Sequence, residues 1–222
     1  MRLISLLFLL LITTALILPG SFFLLKDALL AAGWSWTLTE WTPYLLLVIC
    51  GGALSYVVSR MLVGKNRAVR WSLIALILIA PFAIGFAEHP IYEDSISNVS
   101  DDMRAVKPMV DYVGADLVVI AIADCPYCKR ATQDLIQLHE RNPQMRLRMV
   151  VCTADSVWMQ PYIELAYGAF EVVQASDMDV MATHAAGHFP SYVLVKKNAP
   201  FCRWNNNQWG PLAKDEVERG EG

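Results

Sequence analysis

Charge is scarce in this chain of 222 residues: 18% are Asp, Glu, Lys or Arg, against 55% apolar. A water-soluble domain is nearer about a quarter charged, so part of this chain must be solvated by lipid. The net charge is −3 and no Lys/Arg cluster forms a basic face, which excludes nucleic acid as a partner. Histidine is scarce too, four in all and none before His89. Of the five cysteines, only Cys50 lies in the apolar first part. A membrane electron relay needs paired cysteines, haem-ligating histidines or a bound quinone, whereas a lone apolar-flanked Cys is ordinarily a small buried hydrophobe. The first part therefore reads as an anchor rather than a carrier of electrons.

The apolar excess is uneven. Residues 1–87 hold three long apolar runs, Leu3–Leu25, Pro43–Val63 and Trp71–Ala87. Residues 88–222, about 135 of them, are enough for one small water-soluble core. About 20 apolar residues cross a bilayer as a helix. The first two runs are long enough, and the third is near the lower limit, with a Pro81 that a neighbouring helix can accommodate. Trp34, Trp36, Trp41 and Tyr44 cluster near the start of the second run, and Trp71 opens the third, as suits a membrane interface. Arg60, Lys65, Arg67 and Arg70 lie between runs two and three with no acidic residue. Between runs one and two, Lys26 is set against Asp27 and Glu40. The positive-inside bias then places residues 60–70 and the N-terminus in the cytoplasm, and everything after Ala87 outside. The expected location is a multi-pass position in the inner (cytoplasmic) membrane with a periplasmic or otherwise extracytoplasmic C-terminal domain. If the first run were instead a cleaved signal peptide, that domain would lie on the same side.

An acidic stretch over residues 88–112 reads as a solvated connector, and residues 113–222 as the outer domain. Leu117–Ala123 is a continuous apolar, β-branched run, as expected of a strand buried on both faces. Asp124 and then Cys125-Pro126-Tyr127-Cys128-Lys129-Arg130 follow. Ala131, Leu135, Ile136 and Leu138 recur at helical spacing as far as Asn142-Pro143, which ends the helix. Further strands are expected at Arg146–Cys152 and Ser191–Lys196, with a helical region from about Ser156 to Ala185 between them. Pro200–Trp204 and Gln208-Trp209 bound an Asn205–Asn207 turn that reads as a hairpin edge, and residues 211–219 close with a polar helix. The order is β-α-β-α-β-β-α.

That order, with Cys-x-x-Cys at the first strand–helix junction and Pro190 opening the third strand, resembles the thioredoxin superfamily over residues 113–219. The Cys-Pro-Tyr-Cys tetrapeptide is of the glutaredoxin type. The long stretch between Cys128 and Pro190 implies an inserted helix, as in extracytoplasmic Dsb-like proteins. The expected architecture is an α-helical transmembrane region of three helices followed by an α/β thioredoxin-like domain with an inserted helix. The arrangement of apolar run, Gly33-Trp34-Ser35-Trp36 loop, apolar run and basic loop is similar to DoxX/MauE-like membrane modules, without their fourth span. The resemblance implies thiol–disulfide exchange, with a cis-proline at Pro190 whose preceding residue, Phe189, meets an extended substrate. Phe189 is bulkier than the Thr or Val common at that place, and the glycine pair of glutaredoxins is missing, so glutathione is not the favoured partner.

The chemistry suits these residue types. Disulfide exchange needs a thiolate, and an ordinary thiol with pKa near 8.5 is mostly protonated at neutral pH. At a helix N-terminus, Cys125 meets free backbone N–H groups and the positive dipole end. Lys129 and Arg130 add positive charge that would tune its pKa. Pro126 loses no hydrogen bond at the first helical position, and Tyr127 flanks the pair as a substrate contact. Cys128, one turn on, is placed to resolve a mixed disulfide at Cys125. No buried acid lies within 117–123, which leaves Asp124 and Asp155 as candidate proton acceptors. Zinc at Cys125, Cys128, His184 and His188 is disfavoured by the spacing, so neither metal nor cofactor is expected. Cys152 and Cys202 are expected to be free and mostly buried. The expected partners are extracytoplasmic protein thiols and disulfides, the lipid bilayer, and an integral membrane partner if one exists. The competing reading is an accessory subunit of a membrane complex whose thioredoxin-like domain docks partners, with Gly51-Gly52 favouring close helix packing.

Overall fold

The structure is a computed structural model and describes residues 2–62, 66–91 and 100–220. It divides into two compact units, Met1–Tyr92 and Glu93–Gly222. Lys65 of the basic loop, and residues 92–99 of the expected connector, lie outside the described residues.

Among the described residues the first unit holds four helices, α1 (Arg2–Ile17), α2 (Pro19–Ala31), α3 (Trp36–Met61) and α4 (Arg67–Glu88). The first apolar run, expected as one straight span, is broken: its halves Leu7–Ile17 and Gly20–Ala31 meet at 79°. The cause is local. A residue before proline is pushed out of the helical region, and Leu18 is extended at φ −62°, ψ 132°. Pro19 then starts α2, where its missing N–H is one that no helix would use. Helices α3 and α4 are long and apolar enough to cross a membrane, and the bent pair makes a third crossing if it counts as one span. Pro43 and Pro81 sit inside α3 and α4, both buried.

Small residues bring α3 and α4 together. A Cβ on Gly51 would lie 2.7 Å from the Leu78 carbonyl oxygen, and Gly85 faces the Leu47 side chain just as closely. Ser55 donates to the Ile74 carbonyl at 3.0 Å. Gly51 is thus used within the chain, which removes it from the argument for an external helix partner. Lys26 pairs with Glu40 at 2.7 Å between α2 and α3. The Tyr44 hydroxyl donates to the His89 carbonyl, and Phe22 stacks on the His89 ring at 4.4 Å.

The second unit is a six-stranded sheet: β1 (Asp101–Asp102), β2 (Leu117–Ile122), β3 (Leu147–Cys152), β4 (Glu171–Gln174), β5 (Ser191–Lys196) and β6 (Ala199–Asn205). The spatial order is β1-β6-β5-β2-β3-β4. Strand β2 runs parallel to β3 and antiparallel to β5, and β3 runs parallel to β4. Helices α5 (Pro126–Arg141), α6 (Gln160–Ala166), α7 (Met178–His184) and α8 (Pro211–Arg219) complete it. This is a mixed α/β domain built on one six-stranded sheet. Successive residues of β2 point to opposite faces. Val118 and Ile120 enter a core with Val150, Tyr112, Met181 and Val193. All of Leu117–Ala121 are fully buried, as a strand covered on both faces requires.

Three sequence expectations change here. First, residues 156–185 are not helical throughout. Val172 and Val173 lie in β4, which extends the sheet beside β3. Second, the hairpin turn is Lys197-Asn198 between β5 and β6, not Asn205–Asn207. Both turn residues have positive φ, +53° and +62°, the geometry of a tight two-residue hairpin. Third, part of the acidic stretch is built into the fold. Asp101 and Asp102 pair with β6, and Tyr112 is fully buried. The Asp111 carboxylate accepts from the Ser176 backbone N–H at 3.1 Å and also from its hydroxyl.

Candidate functional site

The site begins where β2 ends. After Ile122 the chain turns through Ala123 and Asp124, the latter at φ +51°, and Cys125 becomes the N-cap of α5. Pro126 occupies the first helical position, which needs no N–H donor. The buried face of α5 consists of Cys128, Ala131, Thr132, Leu135 and Leu138, so burial of that face fixes the direction of Cys128. Cys125 and Cys128 are joined in a disulfide with Cα atoms 5.1 Å apart. The Cys128 backbone N–H donates to the Cys125 sulfur at 3.1 Å. Cys125 keeps 8% of its surface exposed and Cys128 none, so an incoming sulfur meets Cys125 first.

The other sequence-selected residues fall around this pair as follows. Tyr127 is exposed, with the Arg130 guanidinium 5.9 Å from its ring centre. Lys129 is bound to the Asp124 carboxylate at 3.1 Å, so its charge is partly offset before it reaches Cys125. Asp124 is therefore a solvent-facing ion-pair partner rather than a buried proton acceptor, and Asp155 caps the turn at Ser156–Met159 through Val157 N–H. The Phe189–Pro190 peptide bond is cis. Ser191 pairs with Ile120 across β5 and β2, which sets Pro190 level with the last residues of β2, at the cysteine end of the sheet. The Ser191 hydroxyl braces this loop by donating to the His188 carbonyl at 2.6 Å. Phe189 is partly buried against the core that also receives Cys152.

His184 ends α7, buried, with Nδ1 2.8 Å from the Tyr112 hydroxyl, and burial holds its pKa below the usual imidazole value. His188 is exposed. Among the described residues no group of three or more His, Cys, Asp or Glu side chains is gathered to hold a metal ion. Cys152 and Cys202 are free thiols. Burial, helped by Asp111, pushes Cys152 up to about 11, and burial with Glu216 pushes Cys202 up to about 12. Thiols so raised stay protonated at neutral pH and are poor nucleophiles.

One residue beside the pair escaped the sequence reading. Tyr162, on α6 and 1% exposed, donates its hydroxyl proton to the Ile122 carbonyl at 2.7 Å. Burial pushes its pKa up, and a hydrogen bond from the Cys125 backbone opposes that rise. Its spacing from the cysteines carries no motif, and only the packing of α6 against α5 brings it there.

No protein-family model matches this chain, and no curated protein matches it significantly. Among solved structures, it is similar to a secreted disulfide oxidoreductase of Mycobacterium tuberculosis described as homologous to E. coli DsbE. The match has 18% identity, a TM-score of 0.37, and covers 47% of this chain and 77% of that one.

Proposed function

We propose that this chain is a membrane-anchored thiol–disulfide oxidoreductase acting on protein cysteines outside the cytoplasm. The supporting observation is the Cys125–Cys128 disulfide at the N-terminus of α5, with its accessible sulfur hydrogen-bonded to a helix N–H. In the reduced protein the same N–H and the helix dipole favour a Cys125 thiolate. That thiolate attacks one sulfur of a substrate disulfide, forming a mixed disulfide and releasing one substrate thiolate. Cys128, deprotonated, then attacks the Cys125 sulfur and releases the second substrate thiolate. Two electrons have passed to the substrate, and the Cys125–Cys128 disulfide remains. The reverse sequence oxidises a substrate dithiol.

Pro190 and Phe189 border the pair at the sheet end and present the backbone that an extended substrate meets, while Pro126 and Tyr127 form the other rim. Arg130 supplies the positive charge nearest the entering substrate, with Lys129 contributing less because Asp124 holds it. The helices of the first unit anchor the chain. The arginines at positions 60, 67 and 70 keep that connection in the cytoplasm and leave the sheet unit outside.

Cys128→Ser tests the reading, because it removes the resolving sulfur. Incubated with a disulfide-containing unfolded protein, the reduced variant should accumulate a mixed disulfide at Cys125, visible by non-reducing electrophoresis and reversed by a thiol. A Cys128→Ser chain that captures no substrate, while its Cys125 alkylates freely, would contradict it.

A further inference from the structure

The turn that delivers Cys125 to its helix is held by a side chain from another element. The Ile122 carbonyl and the Cys125 N–H are the two groups that face each other across a four-residue turn. The Tyr162 hydroxyl donates to the Ile122 carbonyl at 2.7 Å, at the start of that turn. Inside that turn, Asp124 stands at φ +51°, a backbone region that L-residues other than Asn, Asp and Gly enter at a cost of about 1–2 kcal/mol. Asp124 is one of those exempt residue types, so the turn is open to this sequence, and the Tyr162 hydroxyl adds a partner at its first carbonyl.

We propose that Tyr162 is a positioning residue for the redox pair: its hydroxyl fixes the Ile122–Cys125 turn so that the Cys125 sulfur points at the Cys128 N–H. The role rests on the thiol–disulfide reading above, and it adds a determinant of nucleophilicity outside the Cys-x-x-Cys segment. The reduced Cys125 thiolate depends on alignment with the helix N–H groups. Tyr162 is itself fixed, buried on α6 with its oxygen aimed into the turn. Without that hydroxyl, the Ile122 carbonyl loses its partner from α6, the turn gains freedom, and the sulfur spends less time on the Cys128 N–H. A less stabilised thiolate is a weaker oxidant when paired, since a disulfide oxidises more strongly the better its reduced form is stabilised.

The test is Tyr162→Phe in the full chain in detergent micelles, beside the wild type. Two readouts follow Cys125: its rate of alkylation by iodoacetamide across pH, and its equilibrium with glutathione. The variant should show an alkylation midpoint at higher pH, with about tenfold less thiolate at neutral pH. Its equilibrium should move about tenfold toward the disulfide, equivalent to about 30 mV for a two-electron couple. A folded variant with both readouts unchanged would overturn the proposal, because the turn would then close through its own backbone groups. Amide hydrogen exchange of the wild type gives a second test that needs no variant. The Cys125 amide should exchange slowly, and exchange as fast as in an open loop would overturn the role even if Tyr162→Phe failed to fold. If the wild type itself shows no reversible couple, the thiol–disulfide reading has failed; a wild-type couple unmoved by Tyr162→Phe fails only the positioning role.

Discussion

In the sheet unit Leu117, Val118, Val119, Ile120 and Ala121 have no exposed surface, whereas in the helical unit Leu11, Leu24, Leu45, Leu76 and Ile79 leave 60–70% exposed. The residue types are the same and their placement is reversed. A large exposed apolar patch on a protein surface marks contact with another apolar phase. Here the patch continues along helices long and apolar enough to cross a bilayer, and only 11% of the most apolar stretch of α4 is buried. The two units also hold themselves together differently. The sheet unit relies on apolar area withdrawn from water. The helical unit, with much of its apolar surface left exposed, shows close approach at Gly51 and Gly85 and polar links such as Ser55 to Ile74. The Cys125–Cys128 pair belongs to the unit with the buried sheet.

Substitutions can break this contrast from either side. The largest effect should come from Cys125→Ser, which removes the attacking sulfur. Exchange with a disulfide substrate should fall to background, while circular dichroism of the helices in micelles stays unchanged. Next is a matched pair of leucines. Leu135 is fully buried on α5 and Leu76 is 63% exposed on α4. Leu135→Ala should destabilise the sheet unit by about 2–5 kcal/mol, read by urea unfolding followed in the near-ultraviolet. Leu76→Ala in a bilayer should cost far less, and an equal cost would deny the lipid-facing role of α4.

A smaller change is expected from Gly51→Leu. Its side chain would meet the backbone of α4, and overpacking of this kind costs about 1–3 kcal/mol. Thermal unfolding in micelles should show the loss in the helical unit, with the glutathione equilibrium of Cys125–Cys128 unmoved. The smallest effect concerns pH. Burial lowers the His184 pKa in the folded chain below its ordinary 6.5, so below that pH the unfolded chain binds the extra proton. The neutral-histidine contribution is fully present above pH 6.5 and is lost as pH falls toward the folded value. Stability of the sheet unit should therefore decline on mild acidification, and His184→Gln should flatten that slope. An unchanged slope in the variant would assign the decline to other groups.

The sequence carried the elements whose signals are local. Leu117–Ile122 and Ser191–Lys196 are apolar runs bounded by turns, and α5 has its apolar spacing and a Pro143 beyond its end; all three lie where periodicity put them. The cysteine pair at the start of α5 follows from that placement. The misreadings arise where a local signal is weak or a partner is distant in sequence. Hydropathy alone runs smoothly through Leu18 and Pro19, and the break there is a matter of backbone sterics. Strand β4 is four residues long and exists because β3 offers it an edge. Asp111 looked like solvated charge, but its partner Ser176 lies 65 residues away. Tyr162 was invisible for the same reason: nothing within its own short helix indicates that its oxygen ends beside Cys125.

The central claim is a reversible redox couple confined to Cys125 and Cys128, and a glutathione titration of the full chain tests it most directly. Thiols are alkylated at each ratio of reduced to oxidised glutathione and the cysteines are counted by mass spectrometry. The account predicts one two-electron transition at Cys125 and Cys128, within the range from about −270 to about −120 mV spanned by thiol–disulfide oxidoreductases, with Cys50, Cys152 and Cys202 unchanged. A pair that stays in one state at every ratio, or a transition that persists in Cys125→Ser, would contradict it.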